Sequence, residues 1–152
     1  MDMLVRLYDV DFTGGELPEG VVLKRAIAPE KAIVCRWVRE QFGDAWANEC
    51  DVALSNQPST CYVAVRDGQL LGFACFDATY RGFFGPTGVA AAWRGQGLGK
   101  ALLLRCMETM WHCGYAYAVI GDPGPTEFYR RLLDAVPIPQ SDGGVYRHML
   151  HT

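Results

Sequence analysis

Thr87-Gly88-Val89-Ala90-Ala91-Ala92-Trp93-Arg94-Gly95-Gln96-Gly97-Leu98-Gly99-Lys100 runs from an apolar extended segment, Thr87 to Ala92, through a glycine-rich loop into a strongly apolar helix starting near Leu98. Alternating glycines let the backbone turn tightly with no Cβ in the way, so several N–H groups converge on one anion at a helix N-terminus. Aligned peptide dipoles add roughly half a positive charge there. Arg94 and Lys100 supply whole charges at either end of the loop, and an arginine binds phosphate oxygens bidentately. Such a junction holds phosphate.

Spacing separates three kinds of phosphate loop. A P-loop needs G-x-x-x-x-G-K-[ST]; Gly99-Lys100 supplies the end, but Arg94 stands where the first glycine belongs and Ala101 where the hydroxyl belongs. The dinucleotide fingerprint G-x-G-x-x-G fits Gly95 and Gly97 but puts Lys100 at the third glycine, late in the chain rather than in an opening βαβ unit. The third pattern, R-x-x-G-x-G, is met by Arg94, Gly97 and Gly99.

Through that pattern the chain resembles the GNAT superfamily of acyl-CoA-dependent N-acyltransferases, over roughly Gln57 to Leu133. Context strengthens the likeness: an apolar strand before the loop, an apolar helix after it, a second strand at Tyr115 to Gly121, then the helical segment Thr126-Glu127-Phe128-Tyr129-Arg130-Arg131-Leu132. The resemblance implies an α/β fold with a mixed, mostly antiparallel sheet flanked by helices, its neighbouring parallel strands splayed apart between the ends near Val89 and Gly121. It implies acetyl-CoA as acyl donor, its pyrophosphate on Arg94, Gly95, Gln96, Gly97, Leu98, Gly99 and Lys100. Backbone near Gly88 and Val89 would pair with the pantetheine arm, and an N–H close to Val89 would donate to the thioester oxygen.

A domain of 152 residues buries a real core, typically about 68–70% of its unfolded surface. An apolar share of 50% and a charged share of 20% suit a globular rather than a disordered chain. No apolar run approaches the roughly 18 residues of a membrane helix, and Asp2, Arg6 and Asp9 interrupt the N-terminus where a signal peptide would be apolar, so the expectation is a cytoplasmic protein with no membrane partner. Net charge is −3 and the arginines are scattered, which argues against nucleic acid. Six cysteines form no C-x-x-C pair and fall mostly in apolar periodic segments, as structural thiols do; no His-Cys-Asp spacing supports a metal.

Hydrophobic periodicity predicts one domain over residues 1–152, with neither repeat nor linker. A strand spans Val21 to Ile27, and a helix from Ala28-Pro29 has Ile33, Val34, Trp37, Val38 and Phe42 as its core face and Gly43 just beyond its end. Asp44 is expected to cap a second helix to about Leu54. Cys61 to Val65 and Leu70 to Phe76 flank Asp67-Gly68 as a hairpin, and Arg81 to Ala90 is a strand interrupted at Gly85-Pro86. The helix from about Gly97 to His112 buries Leu98, Leu102, Cys106 and Met110, widened by Leu103, Met107 and Trp111. Val136 to Pro139 and Val145 to Leu150 read as closing strands.

Transfer of an acyl group from a thioester to a primary amine needs a bound carrier, an unprotonated amine, an oxyanion donor and an acid for the thiolate. The resemblance makes Tyr129 that acid, since a phenol of pKa near 10 stays protonated at neutral pH. Asp77 and Asp122 are alternative bases. Where many family members carry Asn and Ala, seven and four positions before the tyrosine, this chain has Asp122 and Pro125, and the usual Gly-Phe after the helix is replaced by Leu133-Asp134-Ala135. Phe42, Trp46 and Glu49, with Asp51, form an aromatic and acidic cluster suited to a cationic acceptor. The expected activity is acetyl transfer from acetyl-CoA to the primary amine of a small molecule or peptide. A noncatalytic acyl-CoA sensor and another nucleotide-binding protein are the alternatives, and the sequence is compatible with a homodimer.

Overall fold

Seven strands and four α-helices make up the computed structural model, which describes residues 1–151. The strands are β1 (Met3–Arg6), β2 (Val22–Arg25), β3 (Cys61–Arg66), β4 (Gln69–Phe76), β5 (Phe83–Val89), β6 (Tyr117–Ile120) and β7 (Val136–Pro137). The helices are α1 (Lys31–Phe42), α2 (Asp44–Ser55), α3 (Leu98–His112) and α4 (Thr126–Leu133). One sheet orders the strands β2-β3-β4-β5-β6-β1-β7; β5 and β6 run parallel and every other neighbouring pair antiparallel.

Alternation of side chains along the strands divides the core in two. Tyr62 and Ala64 of β3 and Leu71 and Ala74 of β4 join α3 and α4 on one face, around Leu98, Leu102, Cys106, Met107 and Met110. Cys61, Val63, Phe73 and Cys75 meet α1 and α2 on the other, around Val34, Val38, Ala47 and Cys50. Buried on both faces, β4 is apolar almost throughout. Five of the six thiols lie in this packing, and burial pushes Cys75 and Cys106 well up from their ordinary values, which makes them poor nucleophiles.

The β3–β4 hairpin turns at Asp67 and Gly68, both at positive φ, as a two-residue type I′ turn requires. Gly43, at φ 106°, breaks the chain between α1 and α2. Local details depart from the periodic reading. Ile33 is 59% exposed and Cys35 takes the core position beside Val34; Trp111 is likewise 40% exposed at the frayed end of α3. Asp44 does not cap α2: Gly43 is the N-cap, and the Asp44 carboxylate accepts from Arg39 Nε at 3.1 Å.

The C-terminal expectation fails for a larger reason. Val136–Pro137 forms a strand, but Val145 to Leu150 does not; Gly143 and Gly144, at φ 76° and 45°, turn the chain into a 3-10 turn over Gly144–Tyr146. The position between β6 and β7 is filled instead by β1, whose Met3 and Val5 are buried. Four residues of alternating burial are too brief a signal to stand out in the sequence.

The two faces meet at Gly88, where a Cβ would come within 2.4 Å of the Phe42 ring. Phe42 is fixed there by Trp37, Trp46 and Phe73, with ring centroids 5.1 to 6.0 Å away. Gly88→Ala should therefore destabilise the fold by about 1–3 kcal/mol through overpacking, measured by urea denaturation, and Phe42→Leu in the same chain should restore part of the loss.

Candidate active site

The β5–β6 ladder holds only two residue pairs, Phe83 with Val119 and Phe84 with Ile120. Beyond them β5 stays on β4 to Val89, while β6 ends and the chain turns at Asp122, itself at φ 42°. Ala90 N–H donates to Leu71 O on β4 at 2.8 Å. Alternation along an antiparallel ladder then turns the Val89 N–H and C=O away from β4, into the gap. Arg94 Nε reaches Val89 O from that side at 3.2 Å. Gly88 lies in register with Phe73 and spends its backbone groups on β4, so Val89 and not Gly88 offers main chain to a ligand in the gap.

Two cavities of about 390 and 480 Å³ open on the gap, within the size range of small-molecule sites at about 300–1,000 Å³. Thr87, Pro125 and Tyr129 line both. The smaller one lies over the N-terminus of α3 and is lined by Gly88, Val89, Arg94, Gly95, Gly97, Leu98, Gly99 and Lys100. Gly97, at φ 86°, is the N-cap, and the first helical bond runs from Ala101 N–H to Gly97 O at 3.0 Å. The amides of Leu98, Gly99 and Lys100 consequently have no partner within the helix. Neither Arg94 nor Lys100 forms an ion pair among the described residues. Unpaired amides beside two cations that make no ion pair could hold an anion, and these residues fit a pyrophosphate. Gln96 is exposed and does not line the cavity.

Tyr129 sits where the cavities meet. Its ring is 5% exposed and packs on Phe84 and Phe128, with centroids 6.3 and 5.2 Å away. Burial alone pushes the phenol up to about 12. No buried polar side-chain atom among the described residues lacks a partner, and Tyr129 has no bond to its hydroxyl, so that hydroxyl opens into the cavity.

The larger cavity takes Trp46 and Glu49 from α2, Thr79, Phe83 and Pro86 from the β4–β5 region, Asp122 from the loop before α4, and Tyr146 and Met149 from the C-terminal segment. Burial pushes the Glu49 carboxyl above its ordinary value, against the hydrogen bond it accepts from the Thr79 hydroxyl. Tyr146 is raised too, chiefly by burial. Asp122 is exposed on the rim, and its N–H donates to Asp2 Oδ1 at 3.0 Å. Asp2, only 9% exposed, also donates its N–H to Ser141 Oγ at 2.8 Å, which ties the loop to the C-terminal segment.

Other assigned residues lie elsewhere. Asp77 lines neither cavity; its carboxylate accepts from Tyr115 Oη at 2.9 and 3.0 Å and from Gly82 N–H at 2.7 Å, holding the chain at φ 53°. Held by these two donors outside both cavities, it is not placed to serve either of them as a base. Phe42 lies beneath Gly88 as packing and does not line the larger cavity. Asp51 points outward to Lys31 Nζ at 2.8 Å. Sequence reading missed Thr79, Tyr146 and Met149, which lie 30 or more residues from Glu49 and are joined to it by folding alone. Among the described residues no group of three or more His, Cys, Asp or Glu is placed to hold a metal ion.

The model of the acetyltransferase (GNAT) family matches residues 31–133, more than half the chain. This chain belongs to that family. The GNAT fold is equally plain in solved structures. A GCN5-related N-acetyltransferase from Sphaerobacter thermophilus aligns with a TM-score of 0.70 at 20% identity, covering 89% of this chain and 47% of its own. The glucosamine N-acetyltransferase region of a fungal multi-domain β-N-acetylglucosaminidase aligns with a TM-score of 0.71 at 14% identity, over 86% of this chain and 19% of that one. A GNAT family acetyltransferase from Brucella melitensis, solved in complex with acetyl-CoA, gives a TM-score of 0.56 at 21% identity, with coverage of 73% and 80%. The chain thus spans less than half the length of the first two. None of the curated proteins compared with it matches.

Glu49 and Asp77 differ in what their removal should do. A carboxyl whose folded-state pKa lies above the unfolded value binds its proton more tightly when folded, so its stabilising share is full below about 4.5 and lost as pH rises through the raised folded value. Glu49→Gln should therefore raise the Tm relative to the parent at pH 7.5 and give no such gain at pH 4, as followed by thermal melts. Asp77→Ala should lose about 1–3 kcal/mol in urea titrations by stranding Tyr115 and Gly82, while Asp77→Asn loses less because asparagine tolerates the left-handed backbone.

Proposed function

We propose that the chain transfers the acetyl group of acetyl-CoA to a primary amine that enters through the larger cavity. The observation that carries this reading is the position of Tyr129, whose hydroxyl opens where the cavity over the α3 N-terminus and an acidic, aromatic cavity meet.

In this reading the α3 amides with Arg94 and Lys100 hold the pyrophosphate, and the pantetheine arm lies along the β5 edge at Val89, whose C=O already accepts from Arg94 and whose N–H is unspent, in the gap between β5 and β6. The thioester then lies beside Tyr129. Val89 N–H is the donor to the carbonyl oxygen as negative charge grows on it. Tyr129 gives its proton to the departing sulfur; with a pKa pushed up to about 12, the phenol is protonated throughout the working range. Glu49 takes the ammonium proton, directly or through a water. Its raised pKa is closer to that of an amine than an exposed carboxylate's, and it loses its own charge more readily. Asp122 adds negative potential at the rim that draws the cationic amine in.

Release of CoA measured with a thiol reagent against a panel of amines tests the reading. Arg94→Glu should raise the KM for acetyl-CoA by at least about 100-fold, since a charge-assisted contact becomes a repulsion. Tyr129→Phe should lower kcat by on the order of 10- to 100-fold and leave acetyl-CoA binding unchanged. In the parent, kcat/KM should fall as pH drops through the raised Glu49 value, above 4.5; that limb should be missing in Glu49→Gln. Acetyl-CoA binding without CoA release for any amine would instead favour a sensor.

A further inference from the structure

The larger cavity carries a selectivity that amine transfer in general does not specify. Among the described residues no Lys, Arg or His lines it. Its charged groups are two carboxylates from separate elements, half-buried Glu49 and exposed Asp122. A carboxylate on the acceptor would enter with no cation to meet it.

On the loop before α4 most backbone donors are missing or already spent. Pro123 and Pro125 have no N–H. Asp122 N–H is spent on Asp2 Oδ1, Thr126 N–H donates to Gly124 O at 3.1 Å, and Phe128 N–H donates to Pro125 O at 3.1 Å. Two amides at the start of α4, those of Thr126 and Phe128, are therefore not available to an anion.

One ammonium satisfies what remains. Glu49 is the half-buried acid, and its Thr79 bond fixes one oxygen and leaves the other. Around it the walls are Trp46, Phe83, Pro86, Tyr146 and Met149, surfaces that accept an aromatic or aliphatic body and give no site for a second deep charge. Asp2 keeps those walls together, since it ties the Asp122 turn to Ser141 and lies so close to Gly144 that a Cβ there would come within 2.9 Å of Oδ2.

From these features we infer that the acceptor is a small primary amine with a single positive charge, an aromatic or apolar body and no carboxylate. The inference rests on the transfer reading for the word acceptor, but the cavity's preference stands apart from turnover and is measured by binding. Phenethylamine, phenylalanine and spermidine form a discriminating set: the second adds a carboxylate to the first, and the third replaces the ring with further cations. Isothermal titration of each into the full chain, with CoA present as a donor that cannot acetylate, should show phenethylamine binding at least about tenfold more tightly than either of the others. Glu49→Gln should weaken phenethylamine by about tenfold. Met149→Arg, which adds a cation to the wall, should narrow the gap between phenethylamine and phenylalanine.

Phenylalanine or spermidine binding as tightly as phenethylamine, or no phenethylamine binding at all, would overturn the assignment. CoA release is read separately with acetyl-CoA and phenethylamine. Selective binding without release would support the cavity's preference and sink the transfer reading.

Discussion

The parting of β5 from β6 after two residue pairs is the constraint on which the rest of the structure depends. A parallel pair that continued would close the sheet and spend every backbone group of Val89 on its neighbour. Instead Asp122 turns β6 away, and β5 follows β4 alone, helped by a register shift opposite Ala74 and Phe76. What would be core becomes a slot with one edge of unpaired backbone. Its floor is fixed by Phe42, which occupies the space that any side chain at position 88 would need.

Around that slot the two halves of the chemistry separate by charge. The α3 end is positive, with free amides, Arg94 and Lys100. The α2 end is acidic, with Glu49 and Asp122 among aromatic rings. Tyr129 stands between, a neutral phenol whose hold on its proton burial strengthens further. An anionic carrier and a cationic acceptor would thus approach from opposite sides and meet at one hydroxyl. Each half repels the other's ligand, so the arrangement orders the two without a moving part.

Much of the donor half was legible in the sequence, because it is local. Arg94 to Lys100 encode a loop, its charges and the helix it opens within seven consecutive residues, and Gly97 and Gly99 are spaced for that one job. The fold was readable for the same reason: the Asp67-Gly68 hairpin and the apolar stripe of α3 are short-range patterns. The acceptor half was not. Glu49 meets Thr79, Tyr146 and Met149 through contacts spanning up to two thirds of the chain, and no spacing announces them. Asp77 shows the same limit: a position at a strand end is shared by catalytic and turn-holding acids, and its bonds to Tyr115 and Gly82, outside both cavities, appear only in the fold. The N-terminal strand β1 escaped notice since four residues carry little periodicity, yet it lies between β6 and β7, while the segment Val145 to Leu150 forms no strand and supplies Tyr146 and Met149 to the larger cavity.

Backbone amide resonances report on the slot most directly, because Val89, Leu98, Gly99 and Lys100 each turn an N–H group toward it. Titration of the ¹⁵N-labelled chain with CoA should shift those four amides together and slow their hydrogen exchange, while Tyr115 and Gly82, outside the slot, stay unmoved. Shifts confined to Arg94 and other surface cations, with Val89 unchanged, would mean that CoA binds by charge alone and does not enter the gap between β5 and β6.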